Sequence, residues 1–185
     1  MKLFIKDAFN PSARSKIFES LINLGLHPMG LDCGEIELQE DLTKWDHDAL
    51  HEALSMEGLE ILTDKETILV EKLRMLIIEM IHYSTEWPKT KYSDYISKKL
   101  QVNYTYLSKI FSRINQITIE HFIISNKIER VKQLLLGSEL TLTEIAWQLN
   151  YSSTAHLSAQ FKRVTGITAS LFKKSFPSGV TEEAN

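Results

Sequence analysis

A sixteen-residue segment occurs twice in this chain, and the two copies start fifty residues apart. Residues 107–122 and 157–172 are identical at seven of their sixteen positions, where chance would give about one. The shared residues are Leu, Ser, Phe, Arg, Ile, Thr and Phe, in the same order and at the same spacing. The chain is therefore predicted to contain one structural unit twice.

Each copy belongs to a predicted pair of short helices joined by a tight turn. In the second copy, Thr141 and Glu144 have the spacing of a capping box that opens the first helix. Asn150 is predicted in the turn, where it tolerates a left-handed backbone, and Ser152 is predicted to cap the next helix. This arrangement is a helix-turn-helix. It is predicted over about residues 92–114 and again over about 141–165.

The second helix of each unit has an apolar face and an opposite face of small or polar residues. Short polar side chains can approach base edges without steric conflict, so this face is suited to a DNA groove. The residues predicted to face the core are Leu107, Ile110, Phe111 and Ile114 in the first unit and Leu157, Phe161 and Val164 in the second.

Net charge divides along the chain in a way that the total of −3 conceals. Residues 1–86 hold 8 Lys and Arg against 17 Asp and Glu, a net of −9, whereas residues 87–185 hold 13 against 7, a net of +6. This asymmetry indicates an acidic domain followed by a basic one that meets phosphates. The cations expected to contact DNA phosphates are Lys91, Arg113, Lys162 and Arg163.

The second copy resembles the AraC/XylS family of bacterial regulators. The resemblance is carried by residues 143–146, 149–152, 156–158, 161–162 and 166–168, and it extends over about residues 66–176. It implies two helix-turn-helix subdomains joined by a linker helix over about residues 119–136, which Gly137 ends. It also implies that their recognition helices enter successive major-groove segments on one face of double-stranded promoter DNA, about one helical turn apart. The base-reading positions that it implies are Thr105, Ser108 and Lys109 in the first unit, and Thr154, Ala155, Ser158 and Ala159 in the second.

The chain departs from the family pattern at several positions. Asn150 replaces a usual Gly, Ala169 replaces a usual Pro, and Lys173 replaces a usual Arg. Ala155 and Ala159 stand where long side chains that read bases often occur. Because alanine offers only contact to a thymine methyl group, the second helix is expected to discriminate less between sequences than the first.

The N-terminal part is predicted to be a small α+β domain of βαββαβ order, which is the order of a ferredoxin-like sandwich. Its first helix opens at Asn10 and Pro11 and ends at Gly25; Thr43 and Asp46 cap the second, which runs to about Met56 before Gly58. The apolar face expected for the first helix consists of Ile17, Leu21, Ile22 and Leu24. The strands are expected at about residues 2–6, 27–31, 35–38 and 59–62, and a long helix at about 66–83.

These elements give a domain prediction of residues 1–64 for the acidic unit, 65–176 for the all-α DNA-binding domain, and 177–185 for a flexible tail. One cysteine, Cys33, argues against a disulfide framework and a multi-cysteine zinc site. The pattern contains no catalytic constellation, so we expect no enzyme, no cofactor and no resident metal. The absence of an apolar segment near 20 residues long favours a cytoplasmic protein without a membrane anchor.

Two alternatives stay open. The chain is also compatible with an interaction protein that keeps this fold and binds a protein partner. The N-terminal domain is expected to sense a signal, such as a small-molecule effector, or to pair subunits into a homodimer. A metal-sensing version of that role would use His47 and His51, which are one helical turn apart.

Overall fold

The computed structural model describes residues 1–8, 11–32, 34–84, 87–88 and 90–176. The chain forms two compact units, and each is built from two stretches of sequence. The first unit comprises the described residues within Met1–Ile77 and Thr90–Gln116. The second comprises those within Ile78–Lys89 and Ile117–Asn185.

The first unit begins with a four-stranded antiparallel sheet and two helices. The predicted βαββαβ order is observed. The sheet has the strand order β2-β3-β1-β4, and β1 pairs with both β3 and β4. Its elements are β1 (Lys2–Ile5), α1 (Pro11–Asn23), β2 (Pro28–Asp32), β3 (Glu35–Leu38), α2 (Lys44–Met56) and β4 (Ile61–Leu62).

One face of the sheet forms a core with α1 and α2. Ile5, Ile36 and Leu38 contribute from the strands, and Leu21 and Leu54 are fully buried helix residues in the same cluster. The prediction that Ile22 joins this face is wrong, because Ile22 is exposed. Successive helix residues are rotated by about 100°, so Leu21 and Ile22 cannot both face the sheet.

The element ends follow the predicted capping chemistry. Thr43 and Asp46 form the expected capping box at the start of α2. Gly34 has a φ of +76°, and a Cβ there would lie 2.9 Å from the Ile5 carbonyl oxygen, so the turn before β3 requires glycine. Asn10 and Cys33 lie outside the described residues. The last strand is shorter than predicted, since only Ile61 and Leu62 pair with β1.

A long helix, α3 (Lys65–His82), follows the sheet. Its buried Glu71 carboxylate accepts a hydrogen bond of 3.0 Å from the Asp7 N–H and one of 2.9 Å from Arg74. The Lys72 ammonium lies 3.1 Å from Glu35 and 4.3 Å from the centre of the Phe4 ring. These contacts join the first half of α3 to the sheet.

The remaining described chain is helical. Among the helices that the structure describes, none has the length and apolar character needed to cross a membrane. The linker helix extends one residue further than predicted, because Gly137 is its last helical residue and Ser138 is its cap. The helices are α4 (Tyr92–Leu100), α5 (Tyr104–Asn115), α6 (Ile119–Gly137), α7 (Leu142–Gln148), α8 (Thr154–Thr165) and α9 (Ala169–Ser175).

The second unit has its own core, formed by α6, α7, α8 and α9. Ile145 and Ala146 of α7 pack with Leu157 and Phe161 of α8 and with Val131 of α6. All five side chains are buried. The small side chain of Ala146 allows α7 to pack closely against its neighbours in this core.

A buried lysine lies at the edge of this core. The Lys127 ammonium of α6 is 4.5 Å from the centre of the Trp87 ring and 4.7 Å from that of Tyr151. The Trp87 indole N–H donates a 2.6 Å hydrogen bond to the Gln148 carbonyl. Burial lowers the pKa of Lys127 to about 8, whereas the two aromatic faces favour its charged form.

Candidate nucleic-acid interface

The two copies have helix caps at equivalent positions, as well as equivalent core residues. Asn103 caps α5 and Ser153 caps α8, fifty residues apart, and each side chain accepts a hydrogen bond from a backbone N–H of the first turn. At the other end, Gln116 and Gly166 are equivalent caps, both with a left-handed backbone. The two copies therefore correspond over the whole helix, including both ends. In each copy, the caps lie at the same sequence distance from the buried core residues.

The turn of the second unit differs from the prediction at one position. Ser153, and not Ser152, is the cap of α8, and it accepts a 3.1 Å hydrogen bond from the His156 N–H. The helix starts one residue later than expected, so the Ser152 hydroxyl instead lies 2.9 Å from His156 Nδ1. The predicted capping box of Thr141 and Glu144 is present, and the Thr141 hydrogen bonds lower the pKa of Glu144. Asn150 has a φ of 51°, as predicted.

The apolar faces of α5 and α8 are shorter than predicted. Leu107, Phe111, Leu157 and Phe161 are fully buried, and Ile110 is buried. The prediction is wrong for the last member of each set, since Ile114 is 38% exposed and Val164 is 44% exposed. Both residues lie in the last turn of their helix, one helix turn beyond the buried phenylalanine.

The predicted base-reading residues lie on the exposed side of their helices. On α5, Thr105 and Lys109 are exposed and Ser108 is half-buried between them in sequence. On α8, Ala155 and Ala159 are exposed, whereas Thr154 and Ser158 are half-buried. The Thr154 hydroxyl donates a 3.3 Å hydrogen bond to Thr143 of α7, so it is partly engaged within the second unit.

All four predicted phosphate-contacting cations are exposed on the surface. Lys91 occupies the position before α4, and Lys162 and Arg163 lie in the last turn of α8. A cation at a helix C-terminus is favourably placed with respect to the helix dipole. These side chains are sterically accessible to a polyanion.

Arg113 is exposed as well, but an acidic residue forms an ion pair with it. The Arg113 guanidinium forms an ion pair with the Glu66 carboxylate of α3. The other carboxylate oxygen of Glu66 accepts a 2.9 Å hydrogen bond from the Tyr106 hydroxyl. The Arg113 guanidinium, followed by the Tyr106 hydroxyl, lowers the pKa of Glu66. Glu66 and Tyr106 are not among the predicted site residues, because no local pattern links Glu66 to Arg113, which lies 47 positions further along the chain.

The residues considered for metal binding do not form a site in the described part of the chain. His47 and His51 both lie on α2. Among the described residues, no group of three or more His, Cys, Asp or Glu side chains is placed to hold a metal ion.

Comparison with known proteins identifies the duplicated region. Residues 96–175 match the family model described as "Helix-turn-helix domain". The chain is similar to the structure of a transcriptional regulator from Chromobacterium violaceum that is described as containing an AraC-type DNA-binding domain. The match covers 60% of this chain and 95% of that chain, with a TM-score of 0.52 at 16% identity. Residues 96–175 therefore form a helix-turn-helix domain.

Two further proteins are similar to this chain. The Msm operon regulatory protein of Streptococcus mutans is 32% identical over 79 residues, which are 43% of this chain and 28% of that protein. The chain is also similar to the structure of the C-terminal domain of AraT, a response regulator from Geobacillus stearothermophilus. The match covers 66% of this chain and 95% of that domain, with a TM-score of 0.53 at 22% identity. The structural likeness shows the shared fold. The match with this chain spans between 17% and 37% of the length of three curated relatives.

Proposed function

We propose that this protein is a sequence-specific transcriptional regulator that binds double-stranded promoter DNA through α5 and α8. The observation that carries the proposal is the duplication of an entire helix-turn-helix unit, with equivalent caps, cores and exposed faces in both copies. In a helix-turn-helix, the second helix reads the major groove. A relative named as an operon regulatory protein supports the same role.

The roles of individual side chains are part of this proposal. Lys109 is the long donor on the exposed face of α5, and Thr105 and Ser108 supply short polar groups beside it. On α8, Thr154 and Ser158 supply hydroxyl groups, while Ala155 and Ala159 allow close approach of the helix. Lys91, Arg113, Lys162 and Arg163 are assigned to phosphates.

The test begins with selection of genomic DNA fragments by the full chain, followed by sequencing. A recovered fragment and a shuffled duplex of the same composition are then compared by fluorescence anisotropy at increasing salt. We expect preferential binding of the recovered fragment, and a plot of log K against log salt with a slope of roughly −4 if four phosphates are contacted. Equal binding of both duplexes, or binding insensitive to salt, would contradict the proposal.

For the N-terminal part, we infer a ferredoxin-like sandwich that senses a signal or pairs subunits. The support is the βαββαβ order together with the strand order β2-β3-β1-β4 and its antiparallel pairing. This role requires no enzymatic activity and is consistent with a cytoplasmic regulator. Light scattering of the full chain tests the pairing of subunits: a dimer mass supports it, and a monomer at all concentrations contradicts it.

A protein partner in place of DNA is the second candidate, and one observation favours it. Trp147 on α7 is 85% exposed, and tryptophan is enriched at protein interfaces. Under this alternative, replacing Trp147 by Ala abolishes partner binding and the salt-dependent DNA binding described above is absent. DNA binding that survives the same substitution favours the first proposal.

A further inference from the structure

The Glu66 carboxylate contacts two residues on one stripe of α5. Its two oxygens engage the Tyr106 hydroxyl and the Arg113 guanidinium. These two residues are seven positions apart, so they lie on the same side of the helix, two turns from one another. Lys109 falls between them at helical spacing. An acidic group therefore lies beside the stripe of α5 that carries both a predicted base-reading residue and a predicted phosphate-contacting residue.

The second unit provides an internal comparison. Arg163 is the equivalent of Arg113, and His156 is the equivalent of Tyr106, each fifty residues later. His156 contacts Ser152 and packs edge-on against Tyr151. In the described part of the chain, no acidic side chain forms an ion pair with Arg163. Among those residues of 1–176 that the structure describes, the same arginine thus occurs twice, once paired with a carboxylate and once without such a pair.

This difference has an electrostatic consequence for binding a polyanion. A DNA phosphate and the Glu66 carboxylate compete for the same guanidinium, and they repel each other when both are close. The Arg113 side chain is 63% exposed and that of Glu66 is 36% exposed. Exposed ion pairs are weak, so a phosphate can displace the carboxylate without preventing binding.

We propose that Glu66 is an intramolecular competitor that weakens the contact of the first recognition helix with the DNA backbone. The inference rests on the proposed DNA-binding function and adds a residue of α3 to it. In this arrangement, Arg163 contributes its full phosphate contact, whereas Arg113 contributes only after it leaves Glu66. Glu66 thereby sets the balance of affinity between the two recognition helices.

The test uses the full chain and a fluorescein-labelled random-sequence duplex of about 40 base pairs, which reports phosphate contacts without base reading. Glu66→Gln removes the charge and keeps the size of the side chain. We expect E66Q to bind about two- to fivefold more tightly, because the neutral amide no longer competes with a phosphate for Arg113. The salt slope should steepen by up to about 0.9, the value for one phosphate.

Two arginine variants provide the controls. Arg163→Ala should weaken binding and make the salt slope shallower, which verifies that the assay detects one phosphate contact. In an Arg113→Ala background, Glu66→Gln should increase the affinity for DNA much less. The guanidinium for which the Glu66 carboxylate and a DNA phosphate compete is absent from that background. Thermal melting of each variant confirms an unchanged fold.

The outcomes separate the two proposals. If R163A weakens binding but E66Q binds DNA no more tightly than wild type, the competitor role is wrong. Weaker binding by E66Q would show that Glu66 positions Arg113 for DNA, and unchanged binding would show that Glu66 has no role in DNA binding. If the E66Q gain is equally large in the R113A background, the competition through Arg113 is also wrong. If neither wild type nor E66Q shows salt-sensitive binding, the DNA-binding function itself fails, and this inference fails with it.

Discussion

Lys109 is the only long side chain among the seven residues proposed to read bases, and it lies exposed on α5. Lysine can donate to the O6 and N7 atoms of guanine, and a good base contact is worth about 1–3 kcal/mol of discrimination. Lys109→Ala should therefore relax the preference at one base position and reduce affinity for the best sequence by that amount if the partner base is guanine. Arg163→Ala is the matched control, since it should weaken binding to all sequences alike.

The measurement for Lys109 is selection from a randomised duplex library, followed by sequencing. The loss of preference should be confined to one position of the recovered motif. If K109A instead behaves as expected for R163A, the recovered motif is unchanged and binding to all sequences is weaker. That outcome would show that Lys109 contacts a phosphate and not a base.

Lys127 gives the folding stability of the second unit a predictable dependence on pH. Burial lowers its pKa to about 8 in the folded protein, against an ordinary value of 10.5. Between these values the unfolded chain binds a proton that the folded chain has released, so stability increases as pH rises from about 8 to 10.5. Below pH 8 the desolvation penalty is fully present. The total change is at most about 3 kcal/mol, and the aromatic contacts reduce it.

Lys127→Met should remove this dependence while keeping the packing of the side-chain stem. Lys132→Met is the matched control, because Lys132 lies on the same helix and pairs with Glu129 in solvent. Urea unfolding measured across this pH range should show wild type and K132M gaining stability relative to K127M. Parallel curves for all three proteins would contradict the assignment.

At the scale of the element, the cap after α8 shows why the sequence has glycine there. Gly166 has a φ of +81°, and a Cβ at this position would meet no atom within 4 Å. The expected loss for Gly166→Ala is therefore purely conformational, about 1 kcal/mol. Gly137→Ala is the control, because Gly137 ends α6 with no positive φ and also has open space. It should be neutral or stabilising by up to about 1 kcal/mol.

Chemical denaturation of the two glycine variants measures this difference in the free energy of unfolding. Equal effects at Gly137 and Gly166 would show that space, and not backbone conformation, selects glycine after α8. The first copy has Gln116 at the equivalent position, with a φ of 58°. Its side chain donates a 2.8 Å hydrogen bond to the Arg113 carbonyl, which offsets part of the conformational cost.

The elements could be predicted where a local rule determines them. Capping boxes at Thr43 and Thr141 involve residues three positions apart, and the repeat aligned the buried phenylalanines. The exposure of Ile114 and Val164 could not be predicted, because helical spacing does not reveal where the neighbouring helices end. The pairing of Glu66 with Arg113 depends on the tertiary structure, so the spacing of the sequence carries no signal for it.

At the scale of the whole molecule, the two compact units should respond separately to the loss of their cores. Phe161 is fully buried in the second unit and packs edge-on against Phe172. Phe161→Ala should destabilise that unit by about 3–5 kcal/mol. Hydrogen exchange should then increase in α7, α8 and α9, while the sheet of the first unit keeps its protection. Increased exchange of equal size in the sheet would show that the molecule unfolds as one cooperative unit.

The division of the first unit into two stretches of sequence has a consequence for protein synthesis. Residues 1–77 leave the ribosome before residues 90–116, yet both stretches belong to the same compact unit. Domains generally fold as units during translation. Because α4 and α5 belong to the second of these stretches, the growing polypeptide carries an incomplete unit until Gln116 has emerged. A nascent chain arrested before that point should be more sensitive to protease than one released after it.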